Sequence, residues 1–299
     1  PLQSVANRTK TLQMIDNLDF IVTVDIAMSD TAWMSDLVLP APSYLERQDP
    51  ASGLQGSSAC ACVVTRDPVV PALFESKPVF WILKELAKRL ELAEYFDFTI
   101  DEYRKQQLKN LPDGERALRE DGVYYNPSKL YGVYEGQVYK TLSKKIELYN
   151  KRYDDMGVDP MPIYRAPRRK PSGKFRMVVG RNAYFTHCTS QNNALLHQFM
   201  PENTLWMNPK AAKRLGIRDG YKVEISSKAG KGILKANLKE GIREDTVYML
   251  SGFGVLSKGL TNIYGNGACM AEILEDYADE ISGNMAMHET FVKVTRKGA

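Results

Sequence analysis

The chain has 299 residues, with 40 Lys and Arg against 36 Asp and Glu, a net charge of +4. Charged (25%) and hydrophobic (43%) fractions are ordinary for a globular protein and exclude a disordered chain, while 21 Gly and 15 Pro are too few for a collagen. Four scattered cysteines exclude a disulfide scaffold, no apolar run approaches the roughly 20 residues of a membrane span, and the small positive balance gives no ground for a nucleic-acid partner.

Residues 1–61 read as one domain. The run 20–24, FIVTV, is continuous and β-rich, which predicts a strand buried on both faces and ending at Asp25. Ser29-Asp30-Thr31 predicts the cap of a short helix reaching Met34, and Leu37-Val38-Leu39 a second strand closed by Pro40. Strand, helix, strand is the texture of a parallel α/β sheet. Pro1 in place of an initiator Met predicts a segment upstream.

Residues 62–170 read as a mixed connecting region. Pro78 at a first helical position, followed by Phe80, Trp81, Leu83, Leu86, Ala87 and Leu90, predicts an amphipathic helix to about residue 92. A second helix is predicted over 101–110, stopped by a turn at 111–114. Cys60 and Cys62 are one residue short of the C-x-x-C spacing of redox and zinc sites and read as small strand residues. Eight tyrosines between Tyr124 and Tyr164 predict surface loops, and the Pro-rich, basic stretch 160–171 predicts a solvated linker.

Residues 171–299 turn to short strands, predicted at 175–179, 221–226, 232–238, 246–250 and 290–294. A helix at 209–215 ends at Gly216, and Asp219-Gly220 marks a turn. Many short strands with little helix predict a closed barrel.

The densest polar cluster is THCTSQNNALLH, Thr186–His197, which comes after a strand and Gly180-Arg181. Its hydroxyl and amide side chains both donate and accept, which suits the edge of a heteroaromatic ring. Its backbone N–H groups, with Arg181, suit a phosphate. The competing expectation is a loop that only caps the helix after it. Asp25 stands at the carboxyl end of the first strand, where open α/β sheets bind ligands. Its acceptor-only carboxylate matches the paired N–H donors of a guanine edge, or else it closes a turn. Arg47 reaches a phosphate or pairs with Glu46 or Asp49. His187, Cys188 and His197 lack a fourth metal ligand, and Cys188 lacks a recognisable orienting acid, so neither a metal ligand nor a catalytic residue is assigned. A hydrolase acting through Cys188 ranks last. Gly252-Phe253-Gly254 and Gly265-Asn266-Gly267 read as turns.

Several segments, taken in order, resemble the C-terminal part of the molybdopterin-dependent oxidoreductases of the dimethyl sulfoxide reductase type. The nearest branch is the thiosulfate and polysulfide reductase catalytic subunits. The segments are FIVTVD, SDTAWMSDLVLPAPSYLER (Ser29–Arg47), KKIELY (Lys144–Tyr149), THCTSQNN, LWMNPKAAKRLGIRDGYKVEISSKAG and MHETFVKV (Met287–Val294). The resemblance implies an α/β plus β-barrel fold: a partial Rossmann-like parallel sheet, a mixed connecting region and a C-terminal double-psi β-barrel. It implies a bis-molybdopterin guanine dinucleotide carrying molybdenum or tungsten. Asp25 would then receive a guanine edge and Arg47 a phosphate. Gly180, Arg181, His187, Cys188, Thr189, Ser190, Gln191 and Asn192 would line the pterin and its phosphate, with His288 and Glu289 beside a pterin. Ala271 stands where relatives often carry an Asn.

The same resemblance implies a [4Fe–4S] cluster and a metal-ligating side chain in the upstream part only. It implies a small inorganic sulfur or oxyanion substrate, used in anaerobic respiration. An iron–sulfur electron-transfer subunit and a membrane-anchor subunit would be partners, in the periplasm or on the outer face of the cytoplasmic membrane. The rival expectation is a stand-alone barrel that binds or handles the cofactor without redox chemistry.

Overall fold

Residues 1–39 fold together with residues 167–299, and residues 40–166 form a second unit. The computed structural model describes residues 1–54, 62–111, 113–125 and 135–298. The first unit opens with Leu2 and Ala6 buried, then α1 (Arg8–Asp16), whose N-cap Asn7 accepts from the Lys10 N–H. The sequence pattern does not announce α1, because its only buried positions are Arg8, Thr11 and Ile15. β1 (Val22–Asp25) and β2 (Leu37–Pro40) pair as a two-stranded sheet around α2 (Asp30–Trp33). Ser29 caps α2 as expected, accepting from the Ala32 N–H at 3.3 Å.

β1 ends at Asp25 as expected, but it is not buried on both faces. Phe20 is 63% exposed and Val22 45%. Among the described residues β1 and β2 stand as a sheet of two strands whose faces no further sheet covers.

In the second unit, β3 (Asp49–Leu54) and β4 (Cys62–Arg66) are antiparallel, with Leu54 opposite Cys62. The expected seam between residues 61 and 62 therefore falls inside one sheet, which is why the unit begins at residue 40 and not at 62. Cys62 is half-buried on β4, whereas Cys60 lies outside the described residues. α3 (Val79–Arg89) starts one place after Pro78, which is its N-cap. Its periodic apolar face is turned outward: Val79, Leu83, Leu86 and Leu90 are exposed, while Ile82 and Ala87 are buried.

α4 (Ile100–Leu108) begins at a capping box formed by Thr99 and Glu102. Its Arg104 is buried, donating to the Asp49 and Arg66 carbonyls and pairing with Asp67 at 2.8 Å, so it ties the helix to β3 and β4. The predicted turn contains Pro112, which lies outside the described residues. After it comes a helix that the sequence pattern does not predict, α5 (Gly114–Glu120), then β5 (Val123–Tyr125), which completes a three-stranded sheet with β4. The last helix of this unit is α6 (Lys151–Asp155), capped by Asn150.

Residues 167–298 build the barrel. Its strands are β6 (Phe175–Gly180), β7 (Thr204–Met207), β8 (Lys222–Ser226), β9 (Lys231–Leu238), β10 (Thr246–Leu250) and β11 (Phe291–Arg296). Between them lie α7 (Ala194–His197), α8 (Pro209–Arg214) and α9 (Met270–Ile273). The ring closes in the order β10-β6-β11-β8-β9-β7. Two of its pairings are parallel, β10 with β6 and β7 with β9, and the rest antiparallel.

Each strand sends two residues, two apart, into the core: Met177 and Val179, Leu205 and Met207, Val223 and Ile225, Leu234 and Ala236, Val247 and Met249, Val292 and Val294. That is the period-two alternation a closed barrel requires. The sequence pattern predicts five of these strands and misses β7, whose four residues sit between Pro201 and Pro209. The stretch 160–171 is exposed, yet Arg168 is not merely solvated. Its N–H donates to Glu289 at 3.1 Å, and its guanidinium lies 5.1 and 5.5 Å from the Tyr277 and Phe291 ring centroids.

Candidate cofactor site

The loop from Thr186 to Asn192 leaves β6 through Gly180-Arg181 and closes on itself by local hydrogen bonds. The Thr186 N–H donates to the Ser190 hydroxyl, and both the N–H and the hydroxyl of Thr189 donate to the Thr186 carbonyl. His187 holds a left-handed backbone at φ 49°. Asn193 caps α7 through the N–H groups of Leu195 and Leu196, so helix capping is one job of this cluster but falls to a residue outside the candidate set. Asn192 instead ties the loop to Asn262, accepting from its backbone N–H at 2.9 Å and its side-chain amide at 2.6 Å.

Gln191 is the loop's buried member, 1% exposed. Its amide nitrogen donates to the carbonyls of His187 and Ser251, while its oxygen is buried without a partner. Beside it, Gly252 has φ +91°, and a Cβ there would lie 2.1 Å from the Gln191 nitrogen and 3.1 Å from Cys188 Cα. Thus Gly252 is a close-approach position and not simply a turn. Gly267 is another, since a Cβ would lie 2.2 Å from the Asn203 oxygen. Asn203 is fully buried and satisfied, donating to Leu250 and Ala268 carbonyls and accepting from the Ala268 N–H. These residues are missed by sequence reasoning; the two G-x-G pairs are the only signal that points at them.

Cys188 donates to the Gln3 carbonyl at 3.6 Å. Burial pushes its thiol up, with Ser251 pulling weakly the other way. A thiol held protonated is a poor nucleophile, which argues against hydrolase chemistry here.

Asp25 accepts from the Ile26 N–H and from the Ser29 hydroxyl, each at 2.7 Å, so it closes the turn before α2. Each carboxylate oxygen keeps a further lone pair. The turn is fastened to the barrel side of the same unit by Asp30. This buried carboxylate accepts from the Leu256 and Ser257 N–H groups and from Gln3. Arg8, 4.0 Å away and also buried, donates to the Gly254 carbonyl and pairs with Glu272. Asp25 and the polar loop therefore belong to one unit.

Arg47 belongs to the other unit and pairs with Asp49 at 3.0 Å, one of the two outcomes its sequence context allows. Glu289 is committed to Arg176 at 2.7 Å, and His288 is exposed with its carbonyl accepting from the same guanidinium. Ala271 is fully buried. Arg181 is exposed, and its guanidinium makes no hydrogen bond or ion pair among the described residues.

The family model described as "Molydopterin dinucleotide binding domain" matches residues 175–291, and that described as "Molybdopterin oxidoreductase" matches residues 1–89. Over these two regions the chain is similar to the molybdopterin oxidoreductases. Members of this family are enzymes, and the cofactor indicated is a molybdopterin dinucleotide.

The thiosulfate reductase molybdopterin-containing subunit PhsA of Salmonella typhimurium is 26% identical, over 99% of this chain and 42% of its own length. The acetylene hydratase of Syntrophotalea acetylenica is 27% identical over 80% of this chain and 33% of its own. The dimethyl sulfoxide reductase DmsA of Haemophilus influenzae is 28% identical over 75% and 32%. Among solved structures, the acetylene hydratase of Pelobacter acetylenicus superposes with a TM-score of 0.79 at 22% identity, over 99% of this chain and 43% of that one, a likeness of fold. The chain spans about a third to two fifths of the length of these curated relatives.

The residues present fit a molybdopterin dinucleotide. The unpartnered Gln191 oxygen is a buried acceptor that lacks a donor, which costs about 1–3 kcal/mol until one is supplied. Pterin and guanine rings both carry N–H donors. The exposed, unpaired Arg181 guanidinium suits a phosphate.

Proposed function

We propose that this chain supplies the cofactor-holding surface of a molybdenum or tungsten oxidoreductase that reduces thiosulfate, polysulfide or a similar sulfur oxyanion. The cofactor we read is a pair of molybdopterin guanine dinucleotides, held by a barrel of the double-psi type and a partial Rossmann-like sheet. The observation that carries the reading is the buried, unpartnered Gln191 oxygen, set in a loop that lies inside the matched dinucleotide-binding region. The substrate class is supported by the likeness to a thiosulfate reductase subunit over nearly the whole chain.

In this reading the loop Thr186–Asn192 receives the pterin, Arg181 with the loop N–H groups receives a phosphate, and Asp25 receives the guanine edge. Arg47, His288 and Glu289 are kept as further contacts. Arg47 must exchange Asp49 for a phosphate, and Glu289 serves through its present partner Arg176. When bound, the group supplies a metal centre that exchanges electrons with substrate. The chain's own residues orient it and set the charge around it. A [4Fe–4S] cluster, an iron–sulfur subunit and a membrane-anchor subunit belong to the whole protein, in the periplasm or at the outer face of the cytoplasmic membrane. These extensions rest on the family likeness. Among the described residues no helix is long and apolar enough to cross a membrane.

Mass spectrometry and metal analysis of the purified holoprotein test the cofactor: guanine nucleotide, oxidised pterin and molybdenum or tungsten are expected, and absence of the nucleotide refutes the reading. Reduction of thiosulfate or polysulfide by reduced viologen tests the substrate. One observation favours a second chemistry, the likeness in sequence and fold to acetylene hydratases. Hydration of an alkyne consumes no electrons, so turnover without viologen oxidation would select it.

A further inference from the structure

Tyr248 stands on the outer wall of the barrel, between the inward residues Val247 and Met249. It lies opposite Trp206 on β7 and Val178 on β6, so the three side chains form one row across neighbouring strands. The Trp206 and Tyr248 rings are 4.8 Å apart and floor a cleft of about 540 Å³. From there the Tyr248 hydroxyl reaches past the end of β6 and donates to the Arg181 carbonyl at 2.8 Å. The carbonyl before it, on Gly180, accepts from the N–H and the hydroxyl of Ser251, each at 3.3 Å. Two consecutive carbonyls are thus tethered, just where the chain leaves the barrel for the polar loop.

Gly180 and Tyr248 are matched in shape as well. A Cβ at Gly180 would lie 2.9 Å from Tyr248 Cε2. Pinning the Arg181 carbonyl also fixes the planar peptide beyond it, which turns the Asn182 N–H away from the ring. The Arg181 backbone is held on one side while its guanidinium stays unpaired.

We propose that Tyr248 is a positioning residue, whose hydroxyl holds the Arg181 backbone so that the guanidinium is presented to the cofactor phosphate. The inference rests on the function proposed above. Burial of the Tyr248 ring raises its hydroxyl above the ordinary tyrosine range, so it stays a proton donor through neutral pH.

The test is a double-variant cycle in the cofactor-bearing holoprotein with Tyr248→Phe, Arg181→Gln and the pair, counting guanine nucleotide retained per chain across a salt series. Tyr248→Phe keeps the ring and is expected to lower retention by roughly three- to tenfold, the worth of one hydrogen bond. It should also flatten the salt dependence, and the pair should retain no less than Arg181→Gln alone. Losses that multiply in the pair, or unchanged retention in Tyr248→Phe, overturn the inference. Amide hydrogen exchange gives a second measure. Faster exchange confined to residues 181–186 is expected in Tyr248→Phe, and unchanged exchange there overturns it. Wild-type holoprotein without guanine nucleotide would instead overturn the proposed function.

Discussion

Gln191 and Gly252 share a space that admits only one side chain. The Gln191 amide crosses to the Ser251 carbonyl over the bare Cα of Gly252, where a methyl group would sit 2.1 Å from its nitrogen. Because Gly252 also holds φ +91°, relief by a backbone shift would carry strain of its own.

Gly252→Ala should therefore destabilise the first unit by about 1–3 kcal/mol and displace Gln191. A lowered urea midpoint with an unchanged slope is expected. A midpoint equal to wild type would mean that the loop gives way at no cost.

Gln191 tests the same contact from the other side. Gln191→Leu strips the donor from two carbonyls, at a cost of about 1–3 kcal/mol. Gln191→Glu costs more at neutral pH, since a carboxylate would face the His187 and Ser251 carbonyls, both acceptors. Urea unfolding of both variants should rank Glu below Leu, and the reverse order would show that the amide nitrogen is not the group that matters.

Asp25→Asn should weaken retention of the guanine nucleotide by about 1–3 kcal/mol, because one acceptor becomes a donor facing the ring N–H pair. Ser29→Ala removes the hydroxyl that donates to Asp25 and caps α2, but leaves the carboxylate. It should lower the thermal midpoint while keeping more nucleotide than Asp25→Asn. Equal occupancy in both variants would remove Asp25 from the guanine site.

Asp276 is held down to about 2, first by Lys10 and then by Asn7, which together tie the start of α1 to the segment after α9. Its charged form is the favoured one in the folded state. The contribution is thus complete above the unfolded carboxylate value near 4 and disappears as pH falls towards 2. With Lys10 well exposed, it is worth only about 0.2–1 kcal/mol. Asp276→Asn should lower stability at pH 6 by that amount and by much less at pH 2, as read from the pH dependence of the urea midpoint.

Burial also predicts the behaviour of the cysteines. The Cys188 and Cys269 thiols are both pushed up, so iodoacetamide at pH 7.5 should modify them slowly until the protein is unfolded. Rapid labelling of Cys188 in the folded protein would restore a reactive thiol to consideration.

How much the sequence made legible depends on how local each signal is. The barrel strands show because alternation repeats over five to eight residues; β7 has four, and its signal is cut off by prolines. Ser29 and Gly216 are visible because caps are local chemistry. Asp25 was legible as a residue at a strand end. Its hydrogen bond to Ser29, four residues away, shows how the turn holds it. The apolar runs of β1 and α3 are only partly covered among the described residues, because which face is buried depends on neighbours distant in sequence. Asn203 and Tyr248 were invisible for the same reason, since their partners lie 47 residues away for Asn203 and Leu250 and 67 for Tyr248 and Arg181, while the G-x-G pair marked Gly252 as a turn but not as a close approach.

The first unit is discontinuous, since residues 1–39 complete it only with residues 167–299. Ala6 enters the barrel core, and Arg8 and Asp30 bond to partners beyond residue 250. During synthesis at some 5–20 residues per second, that opening stretch must wait on the order of ten seconds for its partners to leave the ribosome. In the meantime Arg8 and Asp30 lack the groups that satisfy them, while the intervening stretch can condense first.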